Sequence, residues 1–246
     1  MVARYARFPS LEDRGVFISG GASGIGAETV RHFVDQGARV ATVDIADPAD
    51  LPKGVRYRQC DVRDVAALQV AIREADAAVG PIRVLVNNVA RDDRFDSPEM
   101  TETEWDEMLA VNLRHVFFAS QTVRQTMAAA GGGSIINFTS PAAERKAPGL
   151  TVYATAKAGI QGLTRSLAGE MGADRIRVNA VQPGWVPTER QRRLWWSAEA
   201  EKSILEAQAL PELTTEADVA RVVTFLASDD AAMVTAQVFV VDGGWT

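Results

Sequence analysis

The sequence predicts an α/β protein: a single domain built on one doubly wound parallel sheet with helices on both faces. Three observations predict it. Short apolar runs alternate with segments of helical period along the whole chain. The runs are continuously apolar, as strands covered on both faces are. The 246 residues hold no repeat, low-complexity tract or composition break, so 1–246 reads as one unit.

The elements follow in order. Residues 16–19 form a first strand, and the glycine-rich stretch SGGASGIG comes directly after it. Residues 27–36 carry Val30, Phe33 and Val34 at helical spacing and stop at Gly37. Strands are expected at 39–44 and 55–59, with the two-proline stretch 47–53 as a surface loop between them. A helix over 65–79 is closed by Gly80-Pro81, and a strand at 84–86 ends in Asn87-Asn88. One long helix is expected over 104–130, stopped by three glycines, then a strand at 134–138. A helix over 153–171 and a strand at 177–181 follow. Residues 184–213 are irregular with helical pieces, the place for a substrate lid. A helix over 216–226 and a strand at 238–241 finish the chain.

Composition excludes several function classes. The net charge of −6 argues against a sequence-independent nucleic-acid binder, which needs a basic face. The single cysteine, Cys60, permits no intrachain disulfide and favours a reducing compartment. With only His32 and His115 beside it, a Cys/His zinc cage is also out, and no metal is expected. Arg4 and Arg7 precede no apolar signal core, and no run approaches a membrane span. The expectation is a cytoplasmic protein with no membrane partner.

Gly20, Gly24 and Gly26 lie between a strand and a helix. Glycine lets backbone turn tightly against a pyrophosphate, and the helix N-terminus offers it free N–H groups. The spacing differs from the general dinucleotide fingerprint, so the context matters. Asp44 closes the next strand, where a carboxylate can accept both ribose hydroxyls and repel a 2′-phosphate; Ile45 follows it instead of a basic residue. NAD is therefore expected over NADP. Asp61 is a candidate for the adenine amino group, or equally for capping the next helix.

Tyr153 and Lys157 stand at i and i+4, projecting from one helix face. An ammonium beside a phenol favours the phenolate, making Tyr153 a proton acceptor near neutral pH. Such pairs are common on surfaces, but this chain has only four lysines, Lys53, Lys146, Lys157 and Lys202. Ser140 ends a strand thirteen residues earlier. Gly20, Asp44, Asn87-Asn88, Ser140 and Pro183-Gly184 all fall at strand C-terminal ends, where open α/β sheets bind ligands.

With these residues in view, the chain resembles the short-chain dehydrogenase/reductase family over its whole length. SGGASGIG, Asp61-Val62, Asn87-Asn88, Asn112, Ser140, Tyr153, Lys157, Pro183-Gly184 and the tail VDGGW carry the likeness. The resemblance implies a Rossmann-type fold with a seven-stranded sheet, a homotetramer with Trp245 near a subunit interface, and a tetrad of Asn112, Ser140, Tyr153 and Lys157. Tyr153 would exchange a proton with the substrate oxygen and Ser140 would hold that oxygen. Lys157 would bind the nicotinamide ribose and lower the tyrosine pKa. Asn112 would steady a water, or bend a long helix, or both. NAD would lie along Gly20, Ser23, Gly24, Ile25, Gly26, Asp44, Ile45, Asp61, Val62, Asn88, Pro183, Gly184, Val186 and Thr188, reaching Tyr153 and Lys157. Ser19 stands where the family usually has threonine, Val89-Ala90 stand for Ala-Gly, and Pro141 stiffens the loop after Ser140.

Within the family the chain looks most like bacterial aldose 1-dehydrogenases, on stretches such as RDDRF, GGGSIINFTS and PGWVPTERQ. The expected substrate is a sugar oxidised at its anomeric hydroxyl to the aldonolactone; the alternative is another secondary alcohol, polyol or ketone. Polar candidates for holding it are Asp92, Arg94, Ser140, Glu144, Tyr153, Gln182 and Trp185, with Arg91, Asp93, Glu189 and Gln191 nearby. Trp185, Trp195 and Trp196 could stack on a sugar or pack the lid onto the body. Arg190, Arg192 and Arg193 could receive an acidic substrate or form a solvated helix face. His32, His115 and Cys60 read as structural.

Overall fold

The computed structural model describes residues 5–246; Arg4 lies outside them. Seven strands, β1 (Gly15–Ser19), β2 (Arg39–Asp44), β3 (Arg56–Gln59), β4 (Ile82–Asn87), β5 (Gly133–Phe138), β6 (Ile176–Pro183) and β7 (Val238–Val241), form one sheet. The order is β3-β2-β1-β4-β5-β6-β7, and every pairing is parallel. The chain steps outward from β1 to β3, then crosses back to β4 beside β1. That reversal leaves a crevice at the carboxyl ends of β1 and β4.

Alternation within each strand builds two cores. Phe17, Val43, Leu85, Ile135 and Val178 face one way. They pack on α2 (Val65–Val79), α4 (His115–Ala129) and α5 (Thr151–Met171) through Leu68, Ile72, Val123, Met127 and Leu167. Val16, Ile18, Val86, Ile136 and Val181 face the other way, onto α1 (Gly24–Asp35) and α8 (Glu216–Ala227) through Val30, Phe33, Val219 and Val223. Central strands buried on both faces therefore read as unbroken apolar runs. The edge strand β3, with sequence RYRQ, has no fully buried residue.

The helix expected over 104–130 is broken. Thr101 and Glu104 form a capping box that starts α3 (Glu102–Leu109), and a π-helical turn, Ala110–Arg114, separates it from α4. The sequence period hides this, because a π-helical turn absorbs its extra residue inside an otherwise continuous helical stretch. The expected irregular stretch contains two helices, α6 (Glu189–Leu194) and α7 (Ala198–Ala207). Thr188 caps the first and Ser197 the second. Among the described residues no helix is long and apolar enough to cross a membrane.

Candidate active site

The glycine loop turns directly from β1 into α1. Gly20 has φ +79°, and a Cβ on Gly26 would lie 1.8 Å from the Gly20 carbonyl oxygen, so both positions demand glycine. Asn88 ties β4 to this loop, its Nδ2 donating to the Ser19 and Gly20 carbonyls at 3.2 and 3.0 Å. The Ser19 hydroxyl accepts the Asn88 N–H at 3.2 Å, a task open to any hydroxyl there. Helices α2, α3, α6, α7 and α8 each close their N-terminus with a side chain. The Ser23 side chain makes no such bond, leaving the first turn of α1 open toward the crevice. Asp44 Oδ2 accepts the Ala22 N–H at 3.0 Å, which fixes the carboxylate at the end of β2 beside the loop. A Cβ-free turn, an uncapped helix end and an adjacent carboxylate fit the pyrophosphate and adenosine ribose of a dinucleotide.

Asp61 is gripped by Arg63 through three side-chain bonds of 2.7 to 3.1 Å, which hold its carboxyl below the usual carboxylate range. It does not cap α2; Asp64 does, accepting the Ala67 N–H. Val62, beyond the end of β3, is buried, and Ile45, directly after β2, is exposed.

Ser140, Tyr153 and Lys157 line one wall of a cavity of about 490 Å³ at the sheet's carboxyl edge. Lys157 is buried, and its ammonium donates to the Phe138 carbonyl at 2.8 Å, 5.6 Å from the Tyr153 ring centre. The Thr139 hydroxyl donates to the Lys157 carbonyl at 2.9 Å, fastening α5 to the end of β5. Burial pushes the Lys157 ammonium down to about 8. Burial also pushes the Tyr153 phenol up to about 12, against the opposing pull of the Ser140 hydroxyl. The expected lowering of the phenol is not met in this arrangement: burial is the largest influence on it, and the Lys157 ammonium donates to the Phe138 carbonyl instead. Behind Lys157, His115 is fully buried and held neutral, pushed down to about 3 by desolvation and the lysine charge.

Asn112 sits in the π-helical turn, fully buried. Its Oδ1 accepts the Arg91 N–H at 2.9 Å, and its Nδ2 donates to the Arg91 and Met108 carbonyls at 3.0 Å. The side chain thus pins the loop after β4 to the broken helix, so the bend reading is the one its contacts display.

Ile25, Asn88, Pro183, Gly184, Val186 and Thr188 line the same cavity from the cradle side, and Asp92, Arg94, Trp185 and Gln191 from the lid side. Glu144 and Gln182 correct the sequence reading, for neither lines it. Gln182 is buried inside β6, and Glu144 points to Gln161, accepting from its Nε2 at 2.8 Å. Trp195 and Trp196 also stay off the cavity. Arg94 stacks over Trp195 at 4.1 Å, and Trp196 meets Trp185 edge-on with centroids 5.3 Å apart, so these two indoles pack the lid. The sequence reading missed Leu150 and Ile204, which give the cavity an apolar end, and it did not bring Trp245 to the cavity. Trp245 lines the cavity beneath the Arg145 guanidinium, 4.0 Å away. The tail's indole carried no positional signal in sequence, since it reaches the site only by folding back. Cys60 is buried with its thiol pushed up by burial, an inert packing group. Among the described residues no cluster of His, Cys, Asp or Glu could hold a metal ion.

A family model described as enoyl-(acyl carrier protein) reductase, of the short-chain alcohol dehydrogenase type, matches residues 20–246. The chain belongs to the short-chain dehydrogenase/reductase family and is an oxidoreductase acting on CH–OH groups with a nicotinamide cofactor. It is 49% identical over 249 residues to a protein named probable galactose dehydrogenase GalD of Rhizobium meliloti, covering 97% of both chains. It is 42% identical to a D-xylose 1-dehydrogenase of Caulobacter vibrioides, covering 98% of both. Among solved structures, the ligand-free aldohexose dehydrogenase of Thermoplasma acidophilum superposes with a TM-score of 0.89 at 30% identity, covering 97% of this chain and 96% of that one.

Proposed function

We propose that this protein oxidises the anomeric hydroxyl of a cyclic aldose to the aldonolactone with NAD. The observation that carries the reading is the composition of one cavity. Ser140, Tyr153 and Lys157 stand on one wall, and hydrogen-bonding groups of Asp92, Arg94 and Gln191 with the Trp185 indole stand opposite. A sugar needs many polar partners and one flat apolar surface, which this wall offers. Relatives named for galactose, xylose and aldohexose oxidation support the same substrate class.

In this reading Tyr153 takes the proton of the anomeric hydroxyl, and Ser140 donates a hydrogen bond to the same oxygen. Lys157 leaves the Phe138 carbonyl to hold the nicotinamide ribose, which brings its charge to bear on the phenol and favours the phenolate. Asn112 keeps the loop after β4 at its distance from that centre. The bound nicotinamide supplies the hydride acceptor. Orientation of the anomeric carbon by Asp92, Gln191 and Trp185 supplies much of the acceleration. Asp44 sets NAD above NADP by charge, and the working form is a homotetramer, which a mass measurement in solution checks.

The test is a panel of aldoses, polyols and apolar alcohols, read at the NADH absorbance with wild type and Tyr153→Phe. Aldose turnover that falls by about 10³-fold or more in the variant, with NAD binding kept, is the expected result. Preference for a polyol or an apolar alcohol overturns the substrate class, and activity retained by Tyr153→Phe overturns the mechanism.

A further inference from the structure

Two segments far apart in sequence meet at the cavity that Tyr153 lines. Asp92 and Asp93 follow β4, and Arg190 and Gln191 open the lid helix α6. Arg190 donates to both carboxylates, in a charge-assisted bond to Asp92 Oδ1 and at 3.1 Å to Asp93 Oδ1. Gln191 Nε2 donates to the other Asp92 oxygen at 2.8 Å, and its Oε1 accepts the Trp185 indole N–H at 2.6 Å. Arg91 holds Asp93 from the opposite side, Nε to Oδ2, at 2.6 Å. The Asp92 side chain retains 19% of its exposure and Arg190 35%, so solvent screens neither fully.

Asp92 lines the reaction cavity, and a carboxylate there opposes any negative charge on the Tyr153 oxygen. The guanidinium that neutralises it belongs to the lid. We propose that Arg190 is a positioning residue for the reaction: seated on Asp92, it fastens the lid to the loop after β4 and cancels a carboxylate charge in the cavity that Tyr153 lines, so that the lid must be down before Tyr153 releases its proton. The inference rests on the reading of Tyr153 as the proton acceptor. The electrostatics agree in sign, since Asp92 raises the phenol's pKa and Arg190 lowers it. The other charged groups around this centre are few. Lys157 lies on the same helix, Arg94 comes from the loop after β4, and Arg145 and Lys146 come from the loop after β5. His115, behind Lys157, is neutral. Only Arg190 is joined to Asp92 by an ion pair among the described residues.

A plain strut and a charge-cancelling lid differ in what a double variant does. The experiment compares wild type, Arg190→Gln, Asp92→Asn and Asp92→Asn/Arg190→Gln. It follows the pH profile of kcat/KM on an aldose. It also follows a substrate-free titration of Tyr153, from ultraviolet phenolate absorbance less the Tyr153→Phe curve. Arg190→Gln is expected to move the Tyr153 transition to higher pH, and Asp92→Asn to move it to lower pH. The double variant should return to near the wild-type position even where its KM is poor. Arg190→Lys, keeping the charge, should leave the transition in place. An unmoved transition in Arg190→Gln, or a double variant that stays where Arg190→Gln stood, overturns the proposal. Should Arg190→Gln fail to fold, the Asp92→Asn and double variants decide it alone, because the Asp92→Asn transition must then lie at lower pH than that of the double variant. The phenolate titration needs no substrate. A wild type that ignores every aldose yet shows the expected shifts overturns the substrate reading and leaves this inference standing.

Discussion

The two halves of the site are built from different materials. The half proposed to hold the cofactor, β1 through α1 to β2, is backbone: a glycine turn, an uncapped helix end, and one carboxylate tied to a main-chain N–H. The half proposed to hold the substrate is side chains brought from distant segments: Asp92 and Asp93 on Arg190, Gln191 on Asp92, Arg94 on Trp195. A backbone cradle is rigid and intolerant, because no rotamer relieves a clash. A side-chain wall is adjustable, because a lost contact leaves the backbone in place. Within one fold the first suits a constant cofactor and the second a varying substrate.

The sharpest break of this contrast is Gly26→Ala. Its new Cβ would meet backbone oxygen, so the loop must move, at a cost of about 2–3 kcal/mol in stability. Dinucleotide affinity should drop by about 100-fold, measured by calorimetry beside the melting temperature. A variant that binds normally would show the cradle to be adjustable after all.

Lys157→Met comes next and carries a sign. Burial lowers the Lys157 pKa to about 8 from an unfolded value of 10.5. The unfolded chain therefore binds more protons between those values, and stability rises with pH across that window. Below about 8 the buried charge costs its full amount. Lys157→Met should be more stable than wild type at neutral pH by about 1–3 kcal/mol while turnover collapses. The gap should close above pH 10.5, read by denaturant unfolding at the two pH values. A destabilised variant at neutral pH would mean that the bond to the Phe138 carbonyl outweighs the desolvation.

Asp44→Ala removes one side chain from the backbone half. The preference for NAD over NADP should fall by about tenfold, measured as the ratio of the two kcat/KM values. An unchanged ratio would place cofactor choice elsewhere. The smallest effect belongs to Asp93→Asn, which removes only the second carboxylate from a half-exposed pair. Stability should change by less than about 1 kcal/mol, and the aldose KM by less than about threefold. A larger loss would make the two carboxylates one inseparable unit.

Legibility followed the same division. The strand and helix periods, the glycine turn, Asp44 at the end of β2 and the Tyr153–Lys157 spacing were readable because each depends on a few neighbouring residues. Asn112 was readable as a residue that could bend the long helix, but its bonds to Arg91 of the loop after β4 were not, since they join segments far apart in sequence. Glu144 and Gln182 have the chemistry of sugar ligands but the wrong orientation. Where they point is set by how β6 and the loop after β5 pack against Gln161.

The sequence by itself determined the layered sheet and the family, and it singled out the residues proposed to carry the chemistry, because backbone conformation and apolar periodicity are local properties. Only the tertiary structure decided that burial opposes the ionisation of Tyr153, that Arg190 is paired with Asp92, and that Trp245 lines the cavity. Desolvation and charge pairing sum over everything within several ångströms, and those neighbours arrive from segments that the linear chain keeps far apart.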